Sequence, residues 1–453
     1  MKSMKIGLIN LGCPKNQVDS EIMLGLLKEA GFELTSNEAE AEIVVVNTCG
    51  FIDAAKEESV NTLLQLGGLK ESGRCKLLIA AGCLPQRYKE ELLKEMPELD
   101  AVVGTGSFAD VVNICKGFKN KRSSIAKHQQ IFISDPANFN YESALPRIRI
   151  SPAHSAFIKI AEGCDHKCTF CVIPTLRGRQ RSRTIESITN ETERLSLEGV
   201  VEINLVAQDT TAYGRDLRKP NALTHLLKKL VFIKDIKWIR LLYTYPGSFT
   251  KELIKVMANE EKICRYIDMP VQHINDNILS RMHRGHTRKS ILRTIENLRK
   301  SIPDVVLRTS LIVGFPGETE EQFNELVEFV RDVEFDRLGV FTYSNEEDTD
   351  AYSMPGQINE RVKNKRRDKL MRIQQKISLR KNRSLIGTKQ IVLIDGPSKD
   401  APYLIEGRTY GHAPEVDGVV YITDTSSDIP LPGKFASVEI TEAHPYDLIG
   451  RIV

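Results

Sequence analysis

The sequence predicts an α/β protein in three parts: an open parallel α/β domain at the amino end, a partial (β/α) barrel in the middle, and a small antiparallel β-barrel at the end. Three observations carry this reading. Short apolar runs alternate with helically spaced stretches through the first third, a longer series of the same kind fills the middle, and residues 384–453 switch to short runs separated by Gly and Pro turns. At about 100–200 residues per domain, 453 residues hold more than one core. The composition, 41% apolar with 27% charged and 6% aromatic residues, is globular rather than disordered, collagenous or membrane-like. No apolar run reaches the ~18 residues of a spanning helix. The opening MKSMKIGLINLGCPKN reads as a strand and lacks a signal-peptide core and cleavage site. A cytoplasmic protein with no membrane partner is expected, and a net charge of +3 is too small for a nucleic-acid coat protein.

In the first third, Ile6 to Ile9, Ile43 to Val46 and Leu77 to Ala81 read as buried parallel strands, with helical spacing from Asp19 to Ala30. Cys13, Cys49 and Cys83 each follow one of these runs within a few residues. Parallel strands align their carboxyl ends on one edge, where open α/β folds bind ligands, so the three thiols are expected to converge. A proline-punctuated stretch, Ser134 to Ser151, separates this domain from the next series. Six strand-like runs follow: Phe157 to Ile160, Ile203 to Val206, Trp238 to Tyr245, Tyr266 to Val271, Val305 to Val313 and Leu338 to Tyr343. Amphipathic stretches such as Ser187 to Leu197 and Glu321 to Val330 lie between them, the pattern of a barrel with chemistry at the strand carboxyl ends. Arg361 to Arg383 holds eleven basic residues and one acid, Asp368, whereas residues 384–453 hold five basic and ten acidic ones. The expected boundaries are 1–135, a linker over 136–150, 151–360, a basic linker helix over 361–383, and 384–453.

The strongest local signal is AEGCDHKCTFCVIPTLRGRQRSR, where Cys164, Cys168 and Cys171 form a C-x-x-x-C-x-x-C array after the first barrel strand. Three thiolates on one loop can hold three irons of a four-iron cluster and leave the fourth open to a ligand. Zinc is the alternative, but it wants four ligands in a closed site, and His166 is the only local candidate for the fourth. Cys13, Cys49 and Cys83 read as a second cluster site, against the alternative of buried small hydrophobes. Cys75, Cys115 and Cys264 match no spacing and read as packing residues.

The loop resembles that of the radical S-adenosylmethionine superfamily, C-x-x-x-C-x-aromatic-C, with Phe170 at the aromatic position. The resemblance implies that the open iron chelates S-adenosylmethionine, which one electron cleaves to a 5′-deoxyadenosyl radical, with Phe170 beside the adenine. TSLIVGFPGET also matches, and its Gly314 and Gly317 would let backbone approach a flat ligand. Glu202, Gln208 and Arg308 are candidates for the ribose, amino or carboxylate groups of that cofactor, or for structural hydrogen bonds. Three cysteines at the amino end, a radical barrel and a terminal β-barrel resemble the methylthiotransferases over essentially the whole chain, the terminal barrel being their TRAM domain. That family implies two 4Fe-4S clusters and two uses of S-adenosylmethionine, one to methylate a sulfur on the auxiliary cluster and one to make the radical.

LGCPKNQVDSE, IPTLRGRQRSR, NLVAQDTTAYG, YTYP and GRTYGHAPEVDG resemble the RimO-type branch, which modifies an aspartate β-carbon in a small-subunit ribosomal protein at the decoding centre. The rival branch, MiaB-like, modifies a transfer RNA adenosine. A non-catalytic, ribosome-binding iron–sulfur protein is a third reading. The acidic terminal barrel would repel RNA and attract a basic protein. The basic stretch before it reads either as a solvated linker helix or as a contact to ribosomal RNA. Lys15, Asn16 and Asp19 are candidates to shape the sulfur-transfer pocket, with helix capping by Asp19 and Ser20 as the alternative. An electron donor and a sulfur source are implied as further partners.

Overall fold

The computed structural model describes residues 4–120, 129–139, 141, 145–398, 404–424 and 431–453. The expected 136–150 linker and terminal barrel therefore each include residues outside the described ones. The chain forms two compact units: Met1–Ile150 with Ala161–Ser187 and Glu346–Thr349, and Ser151–Ile160 with Ile188–Asn345 and Asp350–Val453.

The first unit is built on a six-stranded parallel sheet in the order β2-β1-β3-β4-β5-β6. Its strands are β1 (Lys5–Asn10), β2 (Glu33–Thr35), β3 (Ile43–Thr48), β4 (Leu77–Gly82), β5 (Ala101–Val103) and β6 (Gln130–Phe132). β3 and β4 are buried at every position, which is why IVVVNT and LLIAAG read as continuous runs. β2, β5 and β6 have only three residues each, too few to show a period. The first helix starts at Pro14, with Cys13 as its extended N-cap residue, because proline presets helical φ at the first position. The expected capping role of Asp19 and Ser20 is thereby corrected, since both lie inside the helix and are buried.

In the second unit, β7 (Ser155–Lys159) opens an all-parallel sheet, and a two-stranded antiparallel pair, β8 (Ala161–Glu162) and β9 (Arg181–Ser182), belongs to the first unit. The sheet continues with β10 (Glu202–Val206), β11 (Trp238–Leu241), β12 (Ile263–Asp268), β13 (Val306–Val313) and β14 (Arg337–Thr342). Its order, β14-β13-β12-β11-β10-β7, sets each strand beside the next in sequence, the topology of a partial (β/α) barrel. β11 stops short of the expected Tyr245 because Tyr243 turns the backbone to φ +60°. Thr287 and Thr319 form capping boxes that start two of the outer helices.

Five strands close the terminal barrel: β15 (Lys389–Pro397), β16 (Ile405–Arg408), β17 (Val420–Asp424), β18 (Phe435–Ala443) and β19 (Leu448–Ile452). Alternate residues, among them Val392, Ile394, Val438 and Ile440, fill its core. This barrel and the basic helix before it, Glu360–Arg383, belong to the same unit as the (β/α) sheet. The helix is more than a linker: Lys363, Arg366, Leu370, Gln374 and Ile377 form a buried stripe, and it packs along β14 and the Glu320–Val333 helix.

Candidate functional site

β1, β3 and β4 are parallel neighbours with Ile9, Val46 and Ala80 in register, so their carboxyl ends share one edge. Cys49 and Cys83 directly follow β3 and β4, and Cys13 comes three residues after β1. Gly12, at φ +93°, leaves room for Cys49: a Cβ there would meet the Cys49 Cβ at 3.0 Å and its Sγ at 3.5 Å. The side chain of Asn16 binds the edge together. Its Nδ2 donates to the carbonyls of Leu11 and Thr48 at 3.2 and 3.0 Å, and the Cys83 thiol approaches its Oδ1 at 3.8 Å. Burial, reinforced by the neighbouring thiols of Cys83 and Cys13, pushes the Cys49 thiol up to about 12. Burial also raises Cys83, with Arg177 working against it, whereas at Cys13 the cations Lys15 and Arg177 outweigh burial and the thiol is lowered.

Cys164, Cys168 and Cys171 lie on the loop between β8 and a short helix, Ile173–Arg177. Gly163, at φ +82°, turns the chain into this loop. The Cys164 N–H donates to the Gly178 carbonyl at 3.0 Å and the Cys171 N–H to the Cys168 carbonyl at 3.1 Å. Asp165 accepts from Arg179 Nε and the Gln180 N–H at 3.2 Å, closing the loop over the β8–β9 pair. The three thiols, Phe170 and His166 are all partly exposed. Among the described residues the cysteines form no disulfide, and no three His, Cys, Asp or Glu side chains gather around a single metal ion. Each triad is all-thiolate, the soft donor set that suits an iron–sulfur cluster, in which each thiolate binds its own iron. Cys75, Cys115 and Cys264 are buried.

Arg177 joins the two constellations. It ends the helix that follows Cys171, is 3% exposed, and donates to Asp19 Oδ2 at 2.7 Å and Glu162 Oε2 at 3.3 Å. Its other terminal nitrogen contacts Asn16 Oδ1 and lies 3.4 Å from the Cys83 sulfur. Leu176 of the same helix and Val172, its N-cap residue, pack on Cys83. Near this edge, Glu346 is held by Arg87 at 2.8 Å, Lys56 at 2.9 Å and the Asp53 N–H at 2.8 Å. These contacts explain why Ala161–Ser187 and Glu346–Thr349 join the first unit rather than the barrel in which the sequence boundaries placed them. Arg177 stands in a motif that the sequence singles out, but its role there carried no signal; Glu346 carried none at all.

The expected cofactor contacts fare differently. Glu202 opens β10, at the amino end of its strand, and is fully buried between Arg240 at 3.1 Å, Arg408 at 2.9 Å and Ser155 at 2.8 Å. It is a structural counter-ion and is corrected as a cofactor candidate. Arg308 is likewise held by Asp268 at 2.8 Å, with Asp417 at 3.7 Å. The Gly314 N–H donates to Glu318, and the aliphatic stem of Lys363 occupies the space beside its Cα, so this turn faces the basic helix rather than standing open for a flat ligand. Gln208, two residues beyond β10, does lie at a strand carboxyl end and is partly exposed. His273 is buried, accepting from the Asn275 N–H at 3.0 Å and contacting Glu318 at 3.4 Å.

The Radical SAM superfamily profile matches residues 158–330, that of Uncharacterized protein family UPF0004 matches 5–104, and that of the TRAM domain matches 386–453. The chain is 49% identical over 449 residues to the ribosomal protein uS12 methylthiotransferase RimO of Geobacter sulfurreducens, covering 99% of this chain and 98% of the relative. It is 48% identical to the protein of the same name from Myxococcus xanthus, covering 98% and 91%. In fold it is similar to the radical S-adenosylmethionine methyltransferase TsrM of Kitasatospora setae, with a TM-score of 0.57 at 14% identity over 89% of this chain and 82% of that one. With the superfamily come an iron–sulfur cluster and S-adenosylmethionine as the working cofactors of a group-transferring enzyme. The chain belongs to the ribosomal protein uS12 methylthiotransferase family, a branch of the radical S-adenosylmethionine superfamily.

Proposed function

We propose that this enzyme replaces a hydrogen on the β-carbon of an aspartate in ribosomal protein uS12 with a methylthio group. It does so with two 4Fe-4S clusters, one on Cys164, Cys168 and Cys171 and an auxiliary one on Cys13, Cys49 and Cys83. The observation that carries this reading is the presence of both thiol triads in one compact unit, with Arg177 reaching from the loop of the first to Cys83 of the second. When bound, the first cluster and S-adenosylmethionine supply a radical able to take an unactivated hydrogen, and the auxiliary cluster supplies sulfur.

The chain's own residues prepare that chemistry. Burial keeps water from the Cys83 thiol, while Cys13 and Cys49 are partly exposed, and the Arg177 cation offsets the negative charge that the three thiolates gather. Asn16 orients Cys83 while bridging the ends of β1 and β3. Phe170 is the residue that would stand beside the adenine of the cofactor. The excess of acids in the terminal barrel, ten against five basic residues, favours a basic protein substrate. An external electron donor and sulfur source complete the reaction in the cytoplasm, where ribosomes are found.

The test is anaerobic reaction of the reconstituted, reduced enzyme with S-adenosylmethionine and sulfide, offering a uS12 peptide in one tube and an anticodon stem-loop in another. Mass spectrometry should find one methylthio group in place of one hydrogen on the peptide aspartate. Modification of the RNA alone, or S-adenosylmethionine turnover with neither substrate changed, would overturn the reading.

A further inference from the structure

We propose that the outer face of the Glu360–Arg383 helix is a docking surface for RNA, one that grips the phosphodiester backbone. The helix holds eleven basic residues. Five of them are met by carboxylates: Lys363 by Glu360, Arg366 by Glu318 and Glu320, Arg367 by Asp368, Arg380 by Glu334, and Lys381 by Asp336. Lys369 donates to Asn324. The remaining five, Arg361, Lys365, Arg372, Lys376 and Arg383, are exposed, and among the described residues none of them forms an ion pair.

These five are not scattered. They follow one another at intervals of 4, 7, 4 and 7 residues. At 3.6 residues per turn they fall in a sector about 60° wide, and at 1.5 Å per residue the line runs about 33 Å. The sector lies opposite the buried stripe of Lys363, Arg366, Leu370, Gln374 and Ile377. One acid, Asp368, stands four residues before Arg372, whose Nε donates to the Asp368 carbonyl at 3.1 Å; Arg361 with Lys365 and Arg372 with Lys376 are like-charge pairs at the same spacing, which an isolated helix disfavours. A line of anions relieves the repulsion.

A second feature points to RNA rather than to an acidic peptide. Tyr446, 41% exposed, lines a shallow depression with Asp368, Met371, Arg372 and Gln375. Asn382 Nδ2 fixes the turn that carries Tyr446, donating to the His444 carbonyl at 2.8 Å. A ring that shares a depression with one member of a line of cations is a platform for stacking an unpaired base next to bound phosphates. The five cations lie outside the 386–453 region of the TRAM domain, and Tyr446 lies within it.

The ribosomal setting rests on the function proposed above, but RNA binding is read without the reaction. The probe is a fluorescein-labelled RNA hairpin with a single-stranded loop, titrated with reconstituted enzyme by anisotropy between about 50 and 200 mM salt. Replacing all five cations, R361Q/K365Q/R372Q/K376Q/R383Q, should reduce the slope of log affinity against log salt by about 3 to 4 and weaken low-salt binding at least ~100-fold. Y446A should weaken binding of the loop hairpin about 5-fold or more and leave a blunt duplex unchanged. The five-fold variant should cleave S-adenosylmethionine and modify free uS12 peptide at the parental rate, while modifying assembled small subunits more slowly. Parental affinity and slope in that variant, or displacement of the hairpin by poly-glutamate as efficiently as by unlabelled RNA, would overturn the proposal. If no peptide is modified by either protein, the proposed reaction fails and the anisotropy result still decides this surface.

Discussion

Two buried guanidinium clusters, one in each compact unit, invite comparison. Arg177 sits among Asp19, Glu162, Asn16 and Cys83 at the carboxyl edge of the amino-terminal sheet. Arg408 sits with Glu202, Asp395 and Arg240 at the amino ends of β7 and β10. Both are dry and both are rich in charge. In the second cluster each oxygen of Glu202 is claimed, Oε1 by Arg240 and Arg408, Oε2 by Ser155 and Arg408. His154 and Arg408 do the same for Asp395. In the first cluster one guanidinium nitrogen reaches a thiol, at the edge where parallel sheets bind ligands. Burial of charge is common to both clusters; a thiol partner at a strand carboxyl end belongs to the first alone.

The largest effect expected separates the thiol triads themselves. Cys168→Ala should abolish S-adenosylmethionine cleavage and methylthiolation together. The triple variant Cys13→Ala, Cys49→Ala, Cys83→Ala should keep cleavage, lose methylthiolation, and bind about half the iron. Full iron content in the triple variant would remove the basis for treating Cys13, Cys49 and Cys83 as a cluster site at all.

Next comes the purely structural cluster. Glu202→Gln leaves Arg240 buried without its carboxylate and Arg408 with Asp395 alone, and should cost about 3–5 kcal/mol in chemical denaturation, with cleavage per folded molecule unchanged. Burial alone would raise the Glu202 carboxyl, but Arg408 and Arg240 overcome it and hold the group at about 2, against an ordinary 4.5. Its stabilising contribution is thus complete above pH 4.5 and is lost as pH falls toward 2. The Gln variant should lack that acid-dependent component; a variant that loses catalysis while keeping stability would reverse the comparison.

A smaller effect, read in catalysis, is expected at Arg177. With clusters loaded, Arg177→Gln should slow methylthiolation about 10- to 100-fold, the worth of a charge-assisted hydrogen bond, and shift the reduction potential of the auxiliary cluster negative in an EPR-monitored redox titration. Arg177→Lys should recover part of the potential. An unmoved potential in both variants would reduce Arg177 to the same structural rank as Arg408. Smallest of all, Glu439→Gln breaks an exposed cross-strand pair with Arg451 and should change stability by less than about 1 kcal/mol.

Much of the fold was legible before the structure. β3 and β4 announce themselves because every residue is buried, and the barrel strands because they recur with amphipathic helices between them. β2, β5 and β6 do not, since pairing to longer neighbours rather than their own pattern makes them strands. Polar residues misled where burial reversed their ordinary meaning. Asp19 and Ser20, for which helix capping was the alternative reading, are interior helix positions, where Tyr141 and Arg177 bind the one and Asn10 and Asn47 the other. Gly314, read as an opening for a ligand, makes room for a lysine stem.

By itself the sequence determined the three-part α/β architecture, the two cysteine triads and the basic helix, because strand and helix periods, loop spacing and charge runs are local properties of the chain. Only the tertiary structure decided which charge reaches a thiol, which are paired in the core and which of the described helix cations remain without an ion pair. Arg177 meets Cys83 across 94 positions and Asp19 across 158, and Arg408 meets Glu202 across 206. No one-dimensional pattern encodes a partner that far away; folding alone brings the two charges together and removes the water between them.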